Sequence, residues 1–248
     1  MAHAYDPKFM DYADRSSRYA AQRIGKLLLD QMALSSVLDI GCAKGTWLDV
    51  WRELGVVNIQ GVDGDYVARD QLLINAGEFR ASDLSQPLNL GRRFDLVQSL
   101  EVAEHIPEAA ALTFVQNLIN HSRGIVLFSA APPGQGGEFH VNEQPYDYWR
   151  DKFKSLGFSA YDYLRPLIAA DPSISFWYRY NIFIYIKNEL ADDLSAPIRA
   201  ARVSDNMALS ELSPALFRAR KYIVQLLPER LRDGLARFKA NYLPSGRW

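Results

Sequence analysis

Glu101-Val-Ala-Glu104-His105 places two carboxylates and an imidazole within one short segment. If the segment coils helically, the i, i+3 and i+4 spacing turns all three to one face. Such a set is a partial shell for Mg²⁺, Mn²⁺ or Zn²⁺. A second histidine, His140, follows the Pro- and Gly-rich stretch Ala130–Gly137, whose composition marks an irregular loop. Without a metal, His105 or His140 is suited to accept the proton of an attacking hydroxyl near neutral pH. Alignment of the reacting atoms would then supply most of the acceleration. The plainer reading leaves Glu104 and Glu108 solvated and gives His105 a capping or packing role.

A binding function is written earlier, in Val37-Leu-Asp-Ile-Gly-Cys-Ala-Lys-Gly-Thr-Trp47 and Ile59-Gln-Gly-Val-Asp63. The first is an aliphatic run closing on Gly41 and Gly45, where the missing Cβ lets the backbone bend sharply and approach a ligand. Asp63, at the tip of the next aliphatic run, is placed to accept both hydroxyls of a ribose. A nicotinamide-dinucleotide turn would need G-x-G-x-x-G, which Gly41-Cys-Ala-Lys-Gly45 lacks, and would not carry an acid at Asp39. That disfavours an oxidoreductase. Cys42 is the sole cysteine, so an internal disulfide is excluded, and it reads as a small packing residue of the turn. Ala43 is accommodated if its φ stays negative.

These residues need an alternating scaffold to bring them together. Residues 5–33 carry Phe9, Tyr12, Tyr19, Ile24, Leu27 and Leu28 at helical spacing, as one or two helices. Strands at Val37–Ile40, Ile59–Val62, Phe79–Ala81, Phe94–Ser99 and Gly124–Ser129 alternate with helices at Thr46–Leu54, Tyr66–Leu73 and Pro107–Asn120. A helix at Asp147–Leu156 precedes two strands, Phe158–Leu164 and Phe176–Ile186. Strand–helix alternation implies a parallel sheet, and two strands joined without a helix imply an antiparallel edge pair. Functional loops then gather at the C-terminal strand ends.

The glycine turn and the acid after it resemble motif I and the following acidic motif of class I S-adenosylmethionine-dependent methyltransferases, over roughly residues 35–187. The resemblance implies a Rossmann-like α/β fold: a seven-stranded, mostly parallel sheet with an antiparallel edge strand. Ala43 departs from the usual D-x-G-x-G. By position, Asp39, Gly41 and Gly45 would contact the methionine portion of S-adenosylmethionine, and Asp63 the ribose, with Gly64 completing the turn. Asp83 would accept the adenine amino group unless it only caps a turn, and Leu84 would offer its backbone N–H. Ser99 and Leu100 would flank the methionine arm and sulfonium, with Trp47 or Tyr12 closing over that cation unless they serve the core.

The E-x-x-E-H sequence with a later histidine is similar to small-RNA 3′-terminal 2′-O-methyltransferases and ubiquinone-pathway O-methyltransferases. This similarity implies Glu101, Glu104, His105 and His140 as metal ligands. The segment Gly134-Gln-Gly-Gly137…His140-Val-Asn-Glu-Gln-Pro145…Tyr148-Trp149 also resembles a bacterial and phage methyltransferase-like group often found among surface-polysaccharide genes. Asn142, Glu143 and Gln144 would hydrogen-bond a polyhydroxylated acceptor there, or cap the next helix.

The chain thus divides into a helical cap (1–34), a cofactor domain (35–187), and a linker with a basic amphipathic helical tail (188–248). Its 248 residues, 48% hydrophobic, suffice for one substantial core. The net charge of −1 hides an asymmetry, because Pro214–Trp248 carries eight basic and two acidic side chains. The body is correspondingly acidic.

The expected function is O-methylation of a hydroxyl on a small molecule or glycan, with a divalent cation where one binds. The acidic body disfavours an RNA acceptor, since nucleic-acid affinity draws on Lys and Arg. A catalytically idle binding domain is the alternative outside the enzymes. No apolar run reaches the ~18 residues of a membrane span, and the N-terminus has no leader pattern. The expected location is the cytoplasm. The tail would lie on the inner membrane surface, or pack on its own domain or on a second subunit; monomer and homodimer are both open.

Overall fold

The computed structural model describes residues 7–226, with side chains from residue 17 onward. A long first helix, α1 (Pro7–Leu29), buries Ala20, Ala21, Ile24 and Leu28, which share one helical face. Then come β1 (Ser36–Ile40), α2 (Thr46–Glu53), β2 (Asn58–Asp63), β3 (Phe79–Ala81) and β4 (Leu96–Leu100). The second half runs α3 (Ala111–Asn120), β5 (Ile125–Ser129), α4 (Tyr146–Ser155), β6 (Phe158–Tyr161), α5 (Arg165–Ile168), α6 (Phe176–Asn181) and β7 (Phe183–Lys187). Two helices, α7 (Ala196–Ala200) and α8 (Ala215–Gln225), follow the sheet.

The seven strands form one sheet in the order β3-β2-β1-β4-β5-β7-β6. β1 pairs in parallel with β2 and β4, and β4 with β5, whereas β7 lies antiparallel to both β5 and β6. This is the expected Rossmann-like sheet with its antiparallel edge pair. Every residue of β1 and β4 is buried, because α1 and α2 cover one face and α3 and α4 the other. The order reverses between β1 and β4, so the crevice at their C-terminal ends is the topological switch point where such sheets bind ligands.

Three sequence expectations give way here. Tyr66–Leu73 is not a helix: only two short 3-10 turns form, Arg69–Gln71 and Ala76–Glu78. The Leu73 N–H donates instead to Lys44 O at 2.9 Å, and Ile74 packs beneath Gly45, so the segment is drawn onto the glycine turn. Phe176–Ile186 divides into α6 and β7, because its aromatic residues pack as well from a helix as from a strand. Residues 188–213 are no free linker. Ile198 and Leu209 are buried, and Val203 N donates to Ala160 O at 2.9 Å, so the segment covers the exposed edge of β6. The N-terminal reading resolves to a single helix, and the helix read from Pro107 opens with a 3-10 turn at Glu108–Ala110 before α3. Tyr12 as a lid and the basic positions beyond residue 226 lie outside the described side chains.

Candidate active site

The turn between β1 and α2 is built from left-handed backbone. Gly41 (φ +92°) and Gly45 (φ +89°) adopt it at little cost. A Cβ at Gly41 would collide with Val102, so the segment after β4 lies directly against this turn. Ala43 also has positive φ, +46°, which corrects the expectation that its φ stays negative. Its N–H donates to Asp63 Oδ2 at 2.7 Å, and this bond holds the strained residue in place. Cys42 is buried with its Sγ against Gly61, the packing role expected of it.

Two acids face the switch point. Asp39 is buried, which pushes its carboxyl up to about 7, with the neighbouring Asp63 charge adding to the rise and the Gln98 amide opposing it. Asp63 is also raised by burial, against hydrogen bonds from Tyr66, Ala43 and Gly64. Its Oδ1 accepts from Gly64 N at 2.7 Å and from Tyr66 Oη at 2.5 Å. The Tyr66 phenol therefore offers Asp63 the kind of donor a ribose hydroxyl would offer. Its ring lies over Gly64, where any Cβ would strike it.

Other anticipated residues occupy varied roles. Asp83 is exposed, and its Oδ1 accepts from Ser85 N (2.9 Å) and Ser85 Oγ (2.6 Å), which is the local turn its position also allowed. Leu84 and Leu100 are buried. Ser99 is fully buried and donates to Ile40 O at 2.7 Å, so its hydroxyl ties β4 to β1 rather than facing a ligand. Trp47 stands edge-on to Tyr178, with ring centroids 5.3 Å apart and its Nε1 3.3 Å from the Tyr178 hydroxyl.

At the ends of β4 and β5 the structure brings three of the four proposed ligands together. One atom each of Glu104, His105 and His140 lies within 4.8 Å of the other two. The imidazoles meet edge to face at 4.8 Å. His105 Nδ1 lies 3.2 Å from Phe139 O, and His140 Nδ1 lies 2.8 Å from Glu143 Oε1. Both partners accept, so both Nδ1 atoms donate. Burial holds the Glu104 carboxyl well above the usual range, helped by the nearby Glu101 charge, and its Oε2 has no hydrogen-bond partner.

Glu101 stands outside this trio. The segment does not coil as expected: only Ala103–His105 forms a 3-10 turn, and Glu101 adopts φ +56°. Its carboxylate is instead held by Gln135 Nε2 at 2.7 Å and Asn181 Nδ2 at 3.1 Å. Glu143, anticipated as an acceptor contact, organises the loop by accepting from Gly134 N, Gly136 N and His140. Those bonds bring its carboxyl below the ordinary value despite burial.

A methyltransferase domain family matches residues 12–162. The chain belongs to that family. S-adenosylmethionine-dependent methyl transfer is the activity class this membership carries. Solved structures share the fold. DesVI of Streptomyces venezuelae superposes with a TM-score of 0.57 at 14% identity, covering 74% of this chain and 100% of its own. The sugar N-methyltransferase KedS8 from Streptoalloteichus gives 0.55 at 14% identity, over 75% of this chain and 94% of its own. Magnesium protoporphyrin IX methyltransferase from Synechocystis, with bound S-adenosylmethionine, gives 0.50 at 18% identity, over 75% and 86%. No curated protein matches the chain.

The methyltransferase also packs its last described helix on the loop after β5, a contact the sequence did not disclose. α8 packs on the loop after β5: Gln225 Nε2 donates to Pro133 O at 2.6 Å and Arg220 Nη1 to Gln135 O at 3.3 Å. Lys221 is buried in an ion pair with Glu211, and Phe217 packs on Phe176. Gln135, Asn181 and Tyr66 are the site residues sequence reasoning missed. Gln135 and Asn181 carry no titratable group, the Tyr66 phenol has no motif spacing, and each matters only through a partner distant in sequence, or through a turn read as a helix.

Proposed function

We propose that this methyltransferase moves the methyl group of S-adenosylmethionine to a hydroxyl of a small molecule or glycan, at a site formed by Glu104, His105 and His140. The convergence of those three side chains, just beyond the Val102 that packs on the glycine turn and with both Nδ1 atoms anchored, is the observation that carries the reading. Asp39, Gly41 and Gly45 would receive the methionine portion and Asp63 the ribose, displacing the Tyr66 phenol. Asp83 and Leu84 would face the adenine at the end of β3.

The trio fits a divalent cation. Its histidines are oriented as metal-ligating histidines usually are, each donating its other ring N–H to a carbonyl or carboxylate. Glu104 Oε2 is a buried carboxyl oxygen without a hydrogen-bond partner. Glu104, His105 and His140 would hold Mg²⁺, Mn²⁺ or Zn²⁺, which supplies Lewis-acid polarisation and a template for oxygen. The chain itself orients His140 through Glu143, and α8 covers the loop after β5. A metal-free second reading also has support, because a histidine fixed by a buried carboxylate at 2.8 Å is well set to accept a hydroxyl proton.

Purified protein supplied with methyl-labelled S-adenosylmethionine and a panel of sugars, nucleotide sugars and oligosaccharides tests both readings. Label in an ether methyl supports the reading, and label confined to amino sugars redirects it to nitrogen. Loss of turnover with chelator, restored by Mn²⁺ or Mg²⁺, supports the metal. Chelator-insensitive turnover that His140→Ala abolishes supports the base.

A further inference from the structure

Glu101 is a half-buried carboxylate outside every Lys and Arg ion pair among the described residues. Its carboxylate is bonded by two neutral amides, Gln135 Nε2 (2.7 Å) and Asn181 Nδ2 (3.1 Å). Those amides are fixed in turn: Asn181 Nδ2 also donates to Gln135 Oε1 at 2.8 Å, and Tyr146 Oη donates to Asn181 Oδ1 at 2.9 Å. Both amide residues are buried. Among the described residues, the ion pairs of Lys and Arg all lie elsewhere. A half-buried carboxylate outside the Lys and Arg ion pairs carries a desolvation cost even when hydrogen-bonded, so the cradle is one that a cationic ligand would complete.

The position of Glu101 says which cation. It is the first residue beyond β4, next to β1, and its left-handed φ turns the chain there. Val102, the next residue, fills the space against Gly41, laying the turn over the glycine loop that would carry the methionine portion. Tyr178, bonded to Trp47 of that loop's helix, is close enough that the Glu101 charge adds to the burial that raises its phenol to about 12. A carboxylate with two aromatic rings near it suits a sulfonium.

We propose that Glu101 is the counter-charge for the sulfonium of S-adenosylmethionine, with Gln135 and Asn181 as its positioning residues. This rests on the cofactor reading above and removes Glu101 from the metal ligands. Methyl transfer disperses the sulfonium charge, so this carboxylate stabilises the bound donor more than the transition state. Its contribution is therefore to binding the donor in preference to the neutral product, not to acceleration. After transfer S-adenosylhomocysteine has no charge to match Glu101, which favours its release.

Calorimetry with both ligands tests this without an acceptor. Glu101→Gln should weaken S-adenosylmethionine by about tenfold, the order expected of a partly screened charge pair, and leave S-adenosylhomocysteine within about twofold. Asn181→Ala and Gln135→Ala, which loosen the carboxylate without removing it, should lower the same ratio by a smaller factor. Equal weakening of both ligands in all three variants would make the role structural and overturn the proposal, as would no change in either. A loss of Mn²⁺ affinity in Glu101→Gln matching that of Glu104→Gln would return Glu101 to the metal and overturn it as well. A wild-type protein that binds neither ligand would overturn the cofactor reading itself and this proposal with it.

Discussion

Ala43 N donates to Asp63 Oδ2 at 2.7 Å, so the residue standing where a glycine is usual is held by the acid that ends the next strand. The two parts of the sequence signature are therefore one physical unit. Asp63 orders the turn before any ligand arrives, and its remaining acceptor positions face Gly64 and Tyr66.

Replacing Asp63 with Ala should accordingly do two things. It removes the acceptor for the ribose hydroxyls, worth roughly 2–4 kcal/mol if both bonds are charge-assisted. It also strands the Ala43 N–H, lowering thermal stability in the absence of ligand. Calorimetry and melting curves read the two effects separately, and unchanged S-adenosylhomocysteine affinity would refute the ribose assignment.

Ala43→Gly should relieve the left-handed strain. A non-glycine residue there costs about 1–2 kcal/mol, part of which glycine returns through its freer unfolded chain. The net expectation is a stability change between zero and about +1 kcal/mol with cofactor affinity retained. A clear loss of stability would mean that the Ala43 methyl is a packing element rather than a tolerated substitution.

The parts of the site legible in the sequence were those whose chemistry is local. The glycine turn, Asp63 and the E-x-x-E-H run announce themselves through residue type and spacing, and the sheet follows from aliphatic runs at regular intervals. The backbone at Glu101 was not legible, because a helical reading of its spacing assumed a conformation that Glu101, at φ +56°, does not adopt. Phe176–Ile186 misled for a related reason: β-branched and aromatic residues favour a strand in isolation, yet Tyr178, Tyr180 and Asn181 bury their side chains from a helix. Asn181 could be assigned to the site only once that helix was seen.

Asp39 predicts a pH dependence. Its folded value of about 7 lies above the ordinary 3.8, so folding favours the protonated form. The associated stability is fully present below pH 3.8, declines as the pH rises, and is lost above about 7. Asp39→Asn cannot titrate, and the melting temperature of the ligand-free variant should fall less steeply across that window. The difference should be on the order of a few kcal/mol. Parallel wild-type and variant profiles would show that Asp39 ionises normally in the folded protein.

The last prediction concerns the outward face of α8. This helix directs Arg220, Lys221 and Gln225 inward to the domain, yet leaves Leu216 86%, Leu226 69%, Tyr222 65% and Ile223 60% exposed. These four recur along one side of the helix, and Arg218 is exposed beside them. The sequence adds five more basic residues against two acids beyond residue 226. An apolar face with a cationic surround fits an anionic membrane surface, where each nearby Lys or Arg adds about 1 kcal/mol at low salt. The protein should therefore sediment with vesicles containing an anionic phospholipid and come off as salt shortens the Debye length. Replacing Leu216, Tyr222, Ile223 and Leu226 with Gln should abolish sedimentation while S-adenosylhomocysteine affinity stays unchanged, because all four side chains are exposed. Removing residues 214–248 altogether should also disturb the site, since it takes away the Arg220 and Gln225 contacts. If vesicles are ignored and the four substitutions instead dissolve a dimer, the face belongs to a second copy of the chain and the membrane contact is wrong.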